Sequence, residues 1–110
     1  MNLGWPGVEL RHLAALEAVA HERSFRGAGV RLGYAQPAIS QQIAALELAV
    51  GVRLVDRRRG RGVVALTEAG EVLVAYAADI GARLRAARAE LAALEATRGA
   101  GTESGAPAVA

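Results

Sequence analysis

Residues 24–47, SFRGAGVRLGYAQPAISQQIAALE, constrain this chain more than any other stretch. Ser24 is a good N-cap, and Phe25, Ala28 and Leu32 mark one apolar face, which predicts a short helix over 25–32. Gly33 is placed to end it, and Gly33-Tyr34-Ala35 reads as a tight turn. Gln36-Pro37 then opens a helix over 36–49, because the N–H that proline lacks would be unpaired in a first turn anyway. Ala38, Ile39, Ile43, Leu46 and Val50 form its inward face, and Gly51 ends it. Two helices joined by a turn of three or four residues make a helix-turn-helix. Ser40, Gln41 and Gln42, near the start of the second helix, are side chains that a duplex-reading helix carries.

The flanking segments complete a small domain. Pro6-Gly7 breaks the chain, and Leu10, Leu13, Leu16, Val19 and Ala20 share one face of a helix over 9–22. Gly27 and Gly29 weaken the 25–32 helix by about 1 kcal/mol each relative to alanine, so packing must hold it, and they would let a neighbouring helix approach closely. Val52, Leu54 and the run Val63 to Leu66 are strand-like, with the basic turn RRRGRG between them. That pattern predicts a two-stranded wing, which must pack on the helices because two strands alone are marginal. Thr67 caps a last helix, with Glu68 and Glu71 near its positive end. Leu66, Leu73, Ala77, Ile80, Leu84, Ala87, Leu91 and Leu94 then follow a heptad seam. Such a helix, about 45 Å long, is too long for a small domain to cover, so its outer half calls for a partner helix. RGAGTESGAPAVA, from Arg98, has no periodicity and reads as a disordered tail.

Composition narrows the class. Hydrophobic residues make up 53% and aromatics only 4%, so the core must be Leu, Val, Ile and Ala, which favours helices. The chain has no cysteine, which removes disulfides and thiolate chemistry. No segment has the long uncharged apolar run of a membrane span, and MNLGWPGVEL lacks the basic start of a secretory signal. A soluble, cytoplasmic protein is expected. Net charge is +2, but residues 24–66 hold seven arginines against Glu47 and Asp56, a local +5. A basic patch beside a reading helix is the footprint expected for nucleic acid. Every basic residue is arginine, which suits phosphate forks and narrow minor grooves, although a GC-rich genome would give the same bias.

The candidate contacts follow. Gln36, Ser40 and Gln41 alone would make a solvated helix face; beside the turn they are candidates for base or phosphate contact. Pro37 and Ala38 can offer apolar contact to a thymine methyl or simply set the helix start. Arg57, Arg58, Arg59 and Arg61 form a basic wing tip suited to phosphate or the minor groove. Arg31 and Arg53 can pair equally with a local carboxylate or with phosphate. His12 and His21 read as ordinary helix residues rather than metal ligands, and no nucleophile, base or carboxylate set for catalysis can be assembled. No cofactor is expected. Leu73, Ala77 and Ile80 can serve the chain's own core or the seam; Leu84, Ala87, Leu91 and Leu94 are assigned to dimer contact.

The whole resembles the N-terminal DNA-binding domain of the LysR-type transcriptional regulators. LRHLAALEAVAHERSF is similar to that family's first helix and Ser-Phe turn, AQPAISQQIAALELAVGVRLVDR to its recognition helix and first wing strand, and LTEAG to the start of its linker helix. The resemblance covers about residues 8–96. It implies a mainly α fold: a winged helix-turn-helix over 8–66, a linker and dimerisation helix over 67–97, and a tail over 98–110. It also implies a homodimer that sets two recognition helices in successive major grooves of double-stranded DNA, at an interrupted and usually A·T-rich palindrome. Family members commonly add an effector domain that binds a small co-inducer. No such domain occurs in these 110 residues, so the chain is either a fragment or a small stand-alone relative. The alternative role is an interaction module that pairs with a longer regulator through residues 73–94. Three positions depart from the family pattern. Ala35 stands where Ser or Thr usually precedes Gln-Pro, Arg26 where a small hydroxyl residue is common and could add a phosphate contact, and Val55 where an aromatic is usual.

Overall fold

The computed structural model describes residues 4–57 and 63–101. Helix α1 spans Leu10–Glu22, α2 Phe25–Leu32, α3 Gln36–Val50 and α4 Glu68–Gly101; strands β1, Val55–Asp56, and β2, Ala65–Leu66, lie between α3 and α4. The strands are antiparallel, with Val55 opposite Leu66 and Asp56 opposite Ala65.

Each helix boundary has a local cause. Glu9 is extended, and its N–H donates to His12 Nδ1 at 3.2 Å, so buried His12 closes the first turn of α1. Arg23 ends α1 in the left-handed region, φ 59°, its N–H donating to the Val19 carbonyl at 2.7 Å. Ser24 Oγ accepts the Gly27 N–H at 2.6 Å and starts α2. Gly33, φ 79°, turns the chain out of α2, and the Tyr34 N–H returns to the Gly29 carbonyl at 2.8 Å. Ala35 supplies no side-chain cap to α3, which begins instead on Gln36-Pro37. Thr67 caps α4: its Oγ1 accepts the Gly70 N–H at 3.0 Å and donates to the Arg53 carbonyl at 2.7 Å.

The core of residues 4–78 is aliphatic. Leu13, Ala15, Leu16, Ala18 and Val19 of α1 meet Ala28 of α2 and Ile39, Ile43 and Leu46 of α3. Leu54, Val55 and Val64 close it from the wing, and Ala77 from α4. Leu10, expected on the core face of α1, is half exposed, because the buried stripe is centred on Leu16 and Val19 instead.

Two glycines mark close approaches. A Cβ at Gly29 would lie 2.5 Å from the Tyr34 carbonyl oxygen, so the turn itself, rather than a neighbouring helix, packs on α2 there. A Cβ at Gly70 would collide with the Leu54 carbonyl oxygen, which already accepts the Thr67 N–H at 3.0 Å. The glycine of Leu-Thr-Glu-Ala-Gly is therefore where the first turn of α4 lies against the wing backbone.

The elements differ from expectation in three places. The wing strands are two residues each: Val52 lies in the turn after α3, and Leu54 is buried but unpaired with β2. The N–H groups of Leu54 and Val55 go to the Glu47 carboxylate instead, at 2.8 and 3.2 Å. Residues 98–101, expected in a disordered tail, continue α4. Nothing breaks the helix at Arg98, whose guanidinium lies 3.9 Å from Glu95 one turn back. The rest of that tail, 102–110, lies outside the described residues. Lastly, Leu73 is partly buried and Ala77 is only 3% exposed, both packed into the core of residues 4–78. Of the two uses their spacing allowed, they serve the core rather than the dimer seam; Val72 and Tyr76 are the large exposed apolar residues of that segment.

Candidate nucleic-acid interface

Three inward anchors hold α3. Ile39, Ile43 and Leu46 are fully buried at one-turn spacing, so the opposite side of the helix must face outward. Pro37 and Gln41 are exposed there, Gln36 is exposed at the start of the helix, and Ser40 and Ala38 are half-buried at the edges. The five candidates from this helix are thus all at least partly accessible over its first two turns. The turn before it is braced by Gly29 and Gly33, and Ala38 and Ile39 donate their N–H groups to the Ala35 carbonyl at 3.0 and 3.4 Å.

The arginines divide into groups. Arg26 is exposed in the first turn of α2, and with Arg31 it borders an open depression also lined by Glu22, Ser24, Gly27 and Val30. Arg31 is engaged: its guanidinium donates to Glu22 at 2.8 Å and lies 2.8 Å from His21 Nδ1. Arg53 is largely exposed, its Nε 4.0 Å from the Glu47 carboxylate. Arg57 is half-buried, its guanidinium 3.9 Å from Glu47 and 5.0 Å above the Phe25 ring. Of the wing-tip candidates, Arg58, Arg59 and Arg61 lie outside the described residues.

Glu47 is a nearly buried acid to which the sequence reading gave no role. It is 11% exposed and takes two backbone N–H bonds from the wing. Its one sequence signal is an acid amid the apolar run Ile-Ala-Ala-Leu-Glu-Leu-Ala-Val. Among the described residues no group of three His, Asp or Glu could hold a metal ion. No described helix is long and apolar enough to cross a membrane.

Residues 10–71 match the model of the bacterial regulatory helix-turn-helix proteins, lysR family, over more than half of the chain. The chain belongs to the lysR family. Its lysR-type domain is 51% identical over 73 residues to the HTH-type transcriptional regulator BudR of Klebsiella aerogenes, covering 66% of this chain and 50% of that protein. It is 44% identical over 78 residues to the RuBisCO operon transcriptional regulator of Allochromatium vinosum, covering 71% of this chain and 25% of that protein. The chain spans about a quarter to a half of the curated relatives it matches. Among solved structures, the DNA-binding domain of BenM in complex with benA site 1 DNA superposes with a TM-score of 0.72 at 33% identity, covering 79% of this chain and 99% of that one. The fold is therefore that of the winged-helix DNA-binding domains of this family.

Proposed function

We propose that this chain is a sequence-specific DNA-binding unit of a transcriptional regulator, acting as a dimer in the cytoplasm. One observation carries the reading: its likeness, over about four-fifths of its length, to a lysR-type domain solved on DNA. In that role α3 enters the major groove. Gln36, Ser40 and Gln41 meet base edges or phosphate, glutamine being able to pair with adenine through both amide groups. Pro37 and Ala38 lie against thymine methyls. Arg26 and Arg53 serve phosphates, as do Arg58, Arg59 and Arg61 of the wing, which also suit a narrow minor groove. Arg31 and Arg57, both engaged within the domain, contribute less than their charge suggests.

The domain division that supports this reading is a reader over residues 8–66 and a pairing helix beyond it. Dimerisation falls to the exposed apolar residues of α4: Val72, Tyr76, Ile80, Leu84, Leu91 and Leu94, with Ala87 among them. Their coverage by a second copy would remove a row of large apolar side chains from water.

Fluorescence anisotropy on the duplex upstream of the chain's own gene is the test. Binding should weaken steeply with salt, by a log–log slope of about 0.9 for each phosphate contacted. Binding that is absent or indifferent to salt would end the reading. Arg58→Ala should weaken all sequences alike, whereas Gln41→Ala should change the order of preference among them.

A further inference from the structure

Two hydrogen bonds, two ion pairs (from Arg53 and Arg57) and one ring contact meet at the joint between α3 and the wing. The Glu47 Oε2 atom accepts the N–H groups of Leu54 and Val55 at 2.8 and 3.2 Å. The Glu47 Oε1 atom lies 3.9 Å from the Arg57 guanidinium. That guanidinium sits 5.0 Å over the ring of Phe25, the first residue of α2. One carboxylate, near the end of the helix that carries Gln41, thus holds the start of β1 directly and reaches α2 through Arg57.

We propose that Glu47 is a positioning residue for DNA recognition, and that Arg57 works with it as a brace between α2, α3 and the wing rather than as a phosphate contact. The proposal rests on the DNA-binding reading above. Its physical basis is the short reach of a two-stranded wing. Strands of two residues give little rigidity of their own, so the wing depends on how their roots are held. Backbone bonds to a carboxylate are stronger than bonds to a neutral acceptor, and near-burial protects them from screening. A guanidinium can lie flat on an aromatic ring and present N–H donors to an acid at once, which a lysine ammonium does less well.

The sign of one substitution separates this from simple electrostatics. Glu47→Gln removes a negative charge near the proposed DNA face. Charge alone therefore predicts tighter binding; loss of positioning predicts weaker binding. Anisotropy with the promoter duplex should show Glu47→Gln about 10-fold weaker than the parent, and hydroxyl-radical footprinting should show protection lost at the flanks while the central major-groove protection remains. Arg57→Lys, which keeps the charge, should weaken binding similarly, and the double variant should be less than additive. Arg57→Gln should leave the salt slope unchanged. Binding by Glu47→Gln that is equal or tighter, or a slope reduced by about one in Arg57→Gln, overturns the proposal. Should Glu47→Gln fail to fold, the two Arg57 variants decide it alone. Failure of the DNA-binding reading itself appears in the unmutated chain, which would then bind no duplex in any arm.

Discussion

The two parts of α4 carry the same apolar spacing in opposite surroundings. Over residues 68–78, Leu73 and Val74 are partly buried and Ala77 is in the core. Over residues 79–99 every residue is exposed save half-buried Gly81, although Ile80, Leu84, Leu91 and Leu94 are as apolar as anything in the first part. A helix in the first situation is held by packing. In the second it has only its backbone bonds and local pairs such as Arg98–Glu95, without the tertiary packing that supplies most helical stability in proteins. The same periodic pattern thus marks a core in one place and, as we propose, an interface in the other.

The comparison is broken most directly where α4 meets the wing. Gly70→Ala forces a Cβ onto the Leu54 carbonyl and should destabilise residues 4–78 by about 3 kcal/mol, read as a lower midpoint in urea. The next largest effect belongs to the other part. Leu84→Glu should weaken self-association about 100-fold, or about 2.7 kcal/mol, by sedimentation velocity, while near-ultraviolet circular dichroism from the first part stays the same. Equal loss in both measurements would show that the two parts do not act separately. Ala35→Ser should add the missing cap on α3 and raise stability by about 1 kcal/mol in thermal unfolding. The smallest change is expected from Arg31→Ala. Its pairing with Glu22 is surface-exposed, so stability should fall by less than about 1 kcal/mol, and the salt slope of DNA binding should hardly move.

Local signals were the legible ones. Ser24, Gly33, Gly51 and Thr67 each cap or end a helix as their chemistry dictates, because each acts through bonds within a few residues of itself. The outward set on α3 was legible for a similar reason: helical periodicity decides which side chains Ile39, Ile43 and Leu46 leave exposed. The heptad was legible as a pattern but not in its allocation. Leu73 and Ala77 fit the seam in spacing, and only the packing of α4 on the core shows that they are already taken. The arginines were the least legible. Sequence left Arg31 open between carboxylate and phosphate and put Arg57 in a basic wing tip; that both are engaged follows only from Glu22, Glu47 and Phe25 lying within reach in space.

By itself, then, the chain's order of residues determined three helices, a turn, a wing and a long final helix, since those depend on caps, breakers and period. Tertiary structure alone decided that Glu47 ties the reading helix to the wing, that Gly70 must lack a side chain, and that the apolar residues of α4 divide at Ala77. Each of these depends on groups brought together from distant parts of the chain, and no local rule specifies which groups those are.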